Sequence, residues 1–328
     1  MKKISLELGS GGKSMRDFIA RKIVPAFKNP HLAELLDASH LPGGIAFTTD
    51  SYVVDPIFFP GGDIGRLAVN GTVNDLVVSG ALPQYISLGL ILEEGLDWDS
   101  LEKILRSLKA AAARAGVVIA AGDTKVVKQG QADKIYINTS GIGKILARPS
   151  PDLIRPGDGI ILTGTLGEHS LAILTARGDF GLEARVESDC APLTFLLPFW
   201  KNGVFWMRDI TRGGLATILS ELAEQIPFPL LIEENRIPLS NAVRAAAALL
   251  GIDPLYLACE GRAVLIVPGR RAQDILARIK KCSLGKKAAI IGRVERAIGR
   301  PGELLLRTSA GGLRLLEPLT SELLPRIC

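Results

Sequence analysis

Apolar and polar residues alternate with two different periods in the first half of the chain, which predicts both strands and helices. The segments 4–8 (ISLEL), 45–54 (IAFTTDSYVV), 86–94 (ISLGLILEE) and 134–145 (KIYINTSGIGKI) have the pattern of strands. Residues 98–116 instead place apolar side chains at helical spacing, so we predict a long helix there. An α+β fold is therefore expected for this half.

Three other segments of this half need separate interpretation. The run 117–123 (VVIAAGD) is almost entirely apolar, which predicts a buried strand. We predict a helix over 15–27, capped by Ser14, and another over 61–81 despite its glycines.

The segment 147–159 (ARPSPDLIRPGDG) is the best candidate for a linker, because it concentrates prolines and glycines. After it, strands and helices alternate again. Strands are predicted at GIILTG, VFWMRD, LLIEE, LYLACEGRAVLIVP and KAAIIGRV, and helices at SLAILTAR, APLTFLLPF, GLATILSELAEQ, AVRAAAALLG and AQDILARIKK. We therefore expect two α+β domains, 1–148 and 149–328. The mixture of hairpin-like and crossover connections argues against a doubly wound parallel sheet.

Composition narrows the class of protein. The chain has 328 residues, of which 47% are hydrophobic and 22% are charged, as in a globular protein with a sizeable core. No apolar run approaches the ~20 residues of a membrane span, and the N-terminus lacks a secretory pattern, so we expect a cytoplasmic protein. The net charge of +5 is scattered, and no basic run suggests nucleic-acid binding.

Four cysteines are present, at positions 190, 259, 282 and 328. None has the C-x-x-C spacing of a zinc site, and the first three have the contexts of ordinary buried or half-buried thiols. Cys328 differs because it is the last residue, where a thiolate could serve as a nucleophile on a carrier arm. Arg326 would favour that thiolate and the adjacent carboxylate would oppose it. The alternative is an incidental terminal cysteine.

Several acidic residues stand at strand ends or beside glycine, where a core has no use for them. Carboxylate oxygens are preferred by magnesium, and glycine lets backbone N–H groups approach phosphate. The pattern predicts a magnesium–phosphate site, although each residue alone is also ordinary turn chemistry. The candidates are Asp50, Asp75 beside Asn74, Asp123 and Asp209.

Two glycine-rich segments are candidate phosphate loops. Residues 9–14 (GSGGKS) fail the P-loop pattern, because the position that needs its first glycine holds Glu7. A glycine-rich turn that opens a helix can still bind phosphate, although a plain turn is the alternative. RDITRGG has the same form, with Arg208 and Arg212 able to add charge.

Lys125 and Glu260 are the candidate acid–base residues. Lys125 follows GDT, where it could contact phosphate or move a proton, or be a solvated turn residue. Glu260 interrupts an apolar run, so burial could raise its pKa. The alternative for Glu260 is a turn carboxylate paired with Arg262.

Together these segments resemble the HypE family of hydrogenase maturation factors, carbamoyl dehydratases of the PurM-like superfamily. The matching segments follow one another along nearly the whole chain, and the first and last are highly specific. They are FTTDSYVVDPIFFPGGDIGRLAVNGTVNDLVVSGA, GDTKVV, INTSGIG, SDCAPL, DITRGG, EGR and the closing PRIC.

The resemblance implies a PurM-like homodimer in which strands of the N-terminal domains form a shared barrel. It implies ATP and Mg²⁺ as cofactors, with Lys125 and Glu260 nearest the reacting carboxamide and Cys328 as its carrier. Metal ligands would be Asp50, Asp75, Asp123 and Asp209. The nucleotide would contact Gly11, Gly12, Thr49, Asn74, Asp75, Thr124 and Asp209.

The resemblance also implies a reaction sequence. A carbamoyltransferase partner, HypF, places a carbamoyl group on Cys328, and the flexible PRIC tail folds into the ATP site. Phosphorylation of the carboxamide oxygen and loss of phosphate leave a thiocyanate. The cyano group then passes to iron held by a HypC–HypD complex, for the nickel–iron centre of hydrogenase.

Three departures from the family pattern are visible. Leu8 replaces a loop histidine, GEHS (167–170) replaces GDHG, and Cys259 replaces an asparagine before Glu260. Two other functions stay open. One is a PurM-like kinase or synthetase acting on a small molecule, and the other is a non-catalytic carrier that only presents the thiol of Cys328.

Overall fold

The computed structural model describes residues 3–9, 12–33, 36–178, 181, 185–211, 213–320, 324 and 326–328. The strands are β1 (Ser39–Leu41), β2 (Ile45–Tyr52), β3 (Phe58–Phe59), β4 (Gly62–Asp63), β5 (Ala81–Glu93), β6 (Val118–Val127), β7 (Ile135–Ile145), β8 (Gly159–Leu162), β9 (Trp206–Asp209), β10 (Leu230–Glu233), β11 (Ala263–Val267), β12 (Ala289–Val294), β13 (Leu304–Arg307) and β14 (Leu313–Leu316).

The α-helices lie between these strands, and short 3₁₀ turns make several of the remaining connections. The helices are α1 (Lys13–Phe18), α2 (Val24–Phe27), α3 (Pro30–Ala33), α4 (Ile64–Val78), α5 (Trp98–Ala115), α6 (Glu168–Arg177), α7 (Leu197–Trp200), α8 (Gly214–Gln225), α9 (Asn241–Leu250) and α10 (Ala272–Lys281). None of the described helices is long and apolar enough to cross a membrane.

The first sheet has the strand order β1-β2-β7-β5-β6. Its pairs are antiparallel except β5 and β6, which are parallel and joined by the crossover helix α5. Asp97 begins α5 by accepting a hydrogen bond from Ser100 N–H, and Gly116 ends it in the left-handed conformation. Helix α4 covers one face of this sheet and packs on α5. The other face has no cover in the described chain.

Helix α4 is buried on nearly every side, because it lies between the first sheet, α5 and β9 of the second sheet. Its N-terminus is capped by Asp63, which accepts hydrogen bonds from the N–H groups of Gly65 and Arg66. Gly71 allows the closest approach, since a Cβ there would lie 2.2 Å from Tyr52 Oη. The glycines of this helix therefore serve packing rather than flexibility.

The second sheet has the order β14-β13-β10-β12-β8-β11-β9, and only the β10–β13 pair is parallel. Its central strands are fully buried. Helix α8 packs against the β13–β14 hairpin, and α10 packs against β8 and β12. Two sheets of mostly antiparallel strands, each packed against helices, confirm the predicted α+β fold class and exclude a doubly wound parallel sheet.

Most strands and helices predicted from the first half are confirmed. The segments 45–54, 86–94 and 134–145 contain β2, β5 and β7, and 61–81 and 98–116 contain α4 and α5. The helix predicted over 15–27 is present as α1 and α2, joined by a π-helical turn, Ile19–Ile23.

Several local predictions are wrong. Residues 4–8 do not form a strand: a 3₁₀ turn spans Leu6–Gly9, because the alternation finds no neighbouring strand among the described residues. The cap of α1 is Gly12, and the Ser14 hydroxyl donates to the Thr320 carbonyl instead. The strand predicted over 117–123 is present as β6 but is exposed along almost its whole length.

The second half departs from prediction in three places. The helix predicted at APLTFLLPF is a 3₁₀ turn, Thr194–Leu196, followed by the short helix α7. Only Ala263–Val267 of the run LYLACEGRAVLIVP is a strand, and a 3₁₀ turn, Pro254–Tyr256, precedes it. The β13–β14 hairpin was not predicted at all. Its strands have four residues each, LLLR and LRLL.

Candidate functional site

A pocket of about 660 Å³ lies where the two sheets meet, and it contains six of the residues singled out from the sequence. They are Asp50, Asp75, Arg208, Asp209, Glu260 and Cys328. The first two come from the first half of the chain and the others from the second, so folding brings together residues nearly 280 positions apart. Helices α1 and α8 supply further parts of the wall.

Three carboxylates form the centre of this pocket. Asp37, Asp75 and Asp209 each offer an oxygen atom, and these atoms all lie within 4.8 Å of one another. Burial and the negative charges of Asp50, Asp209 and Asp37 raise the pKa of Asp75 well above its usual value. Burial, followed by the charge of Asp37, raises the pKa of Asp209 to about 8. Close carboxylates with raised pKa values are the expected property of a cation site without its cation.

Local structure explains how these side chains reach the pocket. Alternate residues of β2 point inward, so Thr48 Oγ1 donates to Asp75 Oδ2 at 2.8 Å and Tyr52 Oη donates to Asp50 Oδ2 at 3.2 Å. Asp75 lies near the C-terminal end of α4, and Asp209 ends β9. Oδ2 of Asp209 is buried and has no hydrogen-bond partner among the described residues.

Arg208 is the main basic group facing these carboxylates. Its Nε lies 2.9 Å from Asp37 Oδ1 and its Nη1 lies 3.6 Å from Glu221 Oε2. Arg16, on α1, also lines the pocket and pairs with Glu224 at 2.7 Å. Acidic groups outnumber basic ones in the lining, which favours a bound cation.

Hydrogen bonds to its peptide group hold Glu260 in place. Its N–H donates to Asp189 Oδ1 at 3.1 Å, and its carbonyl accepts from Ala191 N–H at 3.2 Å and from Asn74 Nδ2 at 3.3 Å. Asn74 is buried and also accepts from Leu193 N–H at 2.8 Å. The side chain of Asn74 therefore ties α4 to the second half, and it is absent from the described lining of the pocket.

The C-terminal residues enter the same pocket. Ile327 and Leu324 are buried in the main hydrophobic core, and Cys328 contacts its edge and lines the pocket. Arg326 donates from Nε to the Val53 carbonyl at 2.9 Å and from Nη1 to Asp133 Oδ2 at 2.7 Å. Its guanidinium is thus an anchor for the tail, and it does not line the pocket beside the thiol as the sequence had suggested.

Four other candidates from the sequence lie outside the pocket of their own chain. Asp123, Thr124 and Lys125 lie within β6 rather than at its end, and Lys125 Nζ pairs with Asp123 at 3.1 Å on the exposed strand. Thr49 points to the opposite face of β2, where its hydroxyl donates to the Thr139 carbonyl.

The candidate phosphate loop at the N-terminus is closed by the C-terminal segment. A Cβ at Gly12 would lie 2.2 Å from the Leu319 carbonyl oxygen, which accepts a hydrogen bond from Lys13 N–H at 2.8 Å. This backbone contact occupies an N–H group that a phosphate would otherwise use. Gly11 and Arg212 lie outside the described residues.

Cys259, one of the departures from the family pattern, is fully buried. Its Sγ accepts a hydrogen bond from Gly167 N–H at 3.2 Å, and burial raises the thiol pKa well above its usual value. Cys259 therefore packs as an inert thiol in this structure.

Two acidic residues of the site were missed in the sequence. Asp37 stands before the short strand β1 without a glycine or an apolar run to mark it. Glu221 lies on the polar stripe of α8, between buried residues. The only usable signal for Glu221 was its position beside the buried face of a helix.

The whole chain is similar to proteins of known families. The family described as AIR synthase related protein matches residues 36–145 with its N-terminal domain and residues 155–299 with its C-terminal domain. The carbamoyl dehydratase HypE of Rhodobacter capsulatus is 44% identical over 338 residues, which cover 99% of this chain and 98% of that protein. The Escherichia coli K12 HypE is 42% identical over 340 residues, which cover all of both chains.

Solved structures agree with this similarity. A crystal structure of a HypE–HypF complex matches with a TM-score of 0.87 and 39% identity, over 92% of this chain and 99% of that chain. A HypE structure in complex with ATP matches with a TM-score of 0.83 and 46% identity, over 99% of this chain and 100% of that chain. The chain therefore belongs to the AIR synthase related, or PurM-like, superfamily and within it to the carbamoyl dehydratase HypE family.

Proposed function

We propose that this protein is an ATP-dependent carbamoyl dehydratase that acts on a carbamoyl group carried by its own Cys328. One observation carries the proposal: the tail docks with Cys328 in the same pocket as the carboxylate cluster and Glu260. A thiol carrier that did no chemistry would have no need to place its terminal residue there.

The residues present fit a magnesium ion of the kind that binds phosphate oxygens. Asp37, Asp75 and Asp209 offer carboxylate oxygens at ligand spacing, Asp50 stands beside them, and the buried Oδ2 of Asp209 has no partner among the described residues. When bound, magnesium neutralises phosphate oxygens and orients them for transfer. Asp37 thus joins Asp50, Asp75 and Asp209 as a proposed ligand.

The reaction balances as a dehydration driven by ATP. The carbamoyl oxygen on S–C(=O)–NH₂ attacks the γ-phosphorus, ADP leaves, and the nitrogen loses one proton to give S–C(=NH)–O–phosphate. Loss of the second N–H proton expels inorganic phosphate and forms S–C≡N on Cys328. Phosphorylation is needed because it converts a poor leaving group into a good one.

Glu260 is the proposed base for the N–H protons in this pocket. It is 3% exposed, and three hydrogen bonds to its peptide group fix its position. With its peptide group fixed, Glu260 lines the pocket from a rigid part of the backbone. Lys125 is the second proposed acid–base residue, although its own chain keeps it on an exposed strand.

We infer that a second copy of the chain covers the first sheet and supplies Lys125 and Asp123. The uncovered face and the β6 edge carry large exposed apolar side chains, which monomeric proteins rarely leave together in water. They are Ile45, Phe47, Leu82, Tyr85, Ile91, Val118, Ile119, Val126 and Ile142. Such a face, beside an unpaired edge strand, supports a homodimer with a barrel formed by both first sheets.

Mixing two inactive variants tests whether Lys125 acts in the partner copy. Chains with Lys125→Ala keep Cys328, and chains with Cys328→Ala keep Lys125. If Lys125 acts across the dimer, a mixture should recover dehydratase activity in its heterodimers. No recovery, from variants that still exchange subunits, would place Lys125 in its own chain or outside the mechanism.

The proposed domain bounds are 1–148 and 149–328, since the first sheet ends at Ile145 and the second begins at Gly159. HypF is the proposed carbamoyl donor, and a HypC–HypD complex is the proposed acceptor of the cyano group. The HypE–HypF complex among the similar structures supports the first partner.

The deciding experiment is the intact mass of the protein after incubation with HypF, carbamoyl phosphate and Mg-ATP. A carbamoyl adduct that then loses the mass of one water, in the native chain but not in Cys328→Ala, is expected. ATP hydrolysis that continues unchanged in Cys328→Ala, without any adduct in the native chain, would instead identify a small-molecule kinase or synthetase.

A further inference from the structure

The last residues of the chain are held by a set of side chains that the proposed chemistry does not use. His169 and Arg177 lie at opposite ends of α6, and both face the tail. His169 Nε2 lies 2.6 Å from the Ile327 carbonyl oxygen, and Arg177 Nη2 donates to the Arg326 carbonyl. Both contacts are to main-chain carbonyl oxygens, so they position the backbone of the tail and do not select its side chains.

His169 is set up as a donor by its second nitrogen. Nδ1 lies 2.8 Å from Ser188 Oγ, which already accepts a hydrogen bond from Cys190 N–H. The Ile327 carbonyl oxygen can only accept, so Nε2 carries the ring proton and donates it toward the tail. In the neutral ring Nδ1 then has no proton and accepts a hydrogen bond from the Ser188 hydroxyl. Burial lowers the pKa of His169, which keeps this neutral form.

Arg177 connects the tail to the strand-end segment beside it. Its Nε donates to the Asp55 carbonyl at 2.6 Å, while Asp55 N–H donates to the Arg326 carbonyl at 3.2 Å. Val53 N–H donates to the Cys328 carbonyl at 3.3 Å, so the tail runs beside residues 53–55 as a short paired strand would. Arg177 closes this pairing from the side of α6.

The docked conformation has a local cost that these contacts offset. Arg326 has a φ of +53°, a left-handed conformation that non-glycine residues rarely adopt. Burial of Ile327 favours docking, but an apolar contact does not by itself fix the direction of the last peptide groups. The hydrogen bonds from His169 and Arg177 of α6 fix that direction.

From this geometry we infer that His169 and Arg177 are positioning residues that hold the tail in the pocket and set how often the half-buried Cys328 becomes fully exposed to solvent. The inference rests on the proposed function only for its consequence: the thiol of Cys328 must be exposed to receive a carbamoyl group and docked while that group is dehydrated, so it alternates between the two positions. The positioning itself can be measured without ATP or a carbamoyl donor.

The test is the rate at which N-ethylmaleimide alkylates Cys328 in the full chain, followed by mass spectrometry of the C-terminal peptide. His169→Ala should raise this rate roughly two- to tenfold, as expected for one lost hydrogen bond, and Arg177→Ala by roughly tenfold or more because a charged donor bridges two carbonyls. His169→Gln, whose amide can still donate, should restore most of the protection.

Two controls separate positioning from unfolding. Cys259 is fully buried and should stay unlabelled in every variant that folds. Arg236→Ala removes a surface arginine that pairs with Glu233 at 2.7 Å, and it should leave the Cys328 rate unchanged. Unchanged alkylation in both His169→Ala and Arg177→Ala, or an equal rise in Arg236→Ala, would overturn the inference. Neither outcome depends on whether the protein is a dehydratase.

Discussion

Asp209→Asn gives the sharpest test of the acidic pocket, because it removes one ionisable group at nearly constant volume. Asp209 is 4% exposed, and its pKa is raised to about 8 from an ordinary value of 3.8, first by burial and then by the charge of Asp37. In the absence of a cation, the folded protein therefore keeps a proton on this carboxyl that the unfolded chain releases.

The sign and size of the effect follow from that difference. A carboxyl whose pKa is higher in the folded state contributes stability that is fully present below pH 3.8 and is lost as the pH rises through about 8. One such proton changes the free energy of unfolding by at most about 1.4 kcal/mol per pH unit. Asp209→Asn has no proton to lose, so its stability should fall less steeply between pH 5 and pH 8.

Magnesium should reverse this trend in the native chain. Binding a cation requires the ionised carboxylates, so the affinity for Mg-ATP should rise with pH by up to about tenfold per unit for each proton released. Asp209→Asn should bind Mg-ATP more weakly at pH 8 and show a flatter dependence.

Urea unfolding at pH 5, 6, 7 and 8, with EDTA and then with Mg²⁺, measures the stability part of this prediction. Isothermal titration with Mg-ATP measures the affinity part. Equal pH slopes for the native chain and Asp209→Asn in EDTA would refute the argument that these crowded carboxyls hold protons. A native affinity for Mg-ATP that does not change with pH would remove Asp209 as a ligand.

Three further predictions concern packing, assembly and catalysis. Gly71→Ala should lower the free energy of urea unfolding by about 1–3 kcal/mol because its Cβ would strike Tyr52, whereas Gly9→Ala, with nothing within 4 Å, should change it by less than ~0.5 kcal/mol. Val118→Lys, on the exposed edge of β6, should shift sedimentation toward the monomer, and an unchanged dimer would count against that interface. Lys125→Ala and Glu260→Gln should slow cyanation by at least ~100-fold while ITC shows Mg-ATP binding largely intact, and unchanged rates would exclude both residues from the mechanism.

Sequence patterns predicted the elements whose burial is decided locally. Helix α5 was found because its apolar stripe packs on α4 while its other face meets solvent. Strand β6 was found too, but its burial was predicted wrongly. Apolar residues indicate that a surface needs a cover, and they do not say whether the same chain supplies it. For β6 it does not.

The site was predicted in part for the same physical reason. Asp50, Asp75 and Asp209 stand out because a carboxylate at a strand end or inside an apolar run has no packing role there. Asp37 lies 38 positions before Asp75 and has no such context, so only the fold reveals that the two carboxyls share a site. The hydrogen bonds of Asn74 to the backbone of the second half could not be read from the sequence either, and its contact with a nucleotide stays a prediction.

The pocket exists only where the two halves of the chain meet, and helix α4 is the element that joins them. It supplies Asp75 to the cation cluster and Asn74 to the peptide of Glu260, and it is buried between the first sheet and β9. A helix with apolar residues on all sides can be stable only when it is covered on all sides. The same burial that positions Asp75 therefore requires the second half to be folded against the first. Neither half alone could hold the carboxylate cluster, the base and the docked Cys328 together, which is why the chemistry and the packing of this chain cannot be separated into independent units.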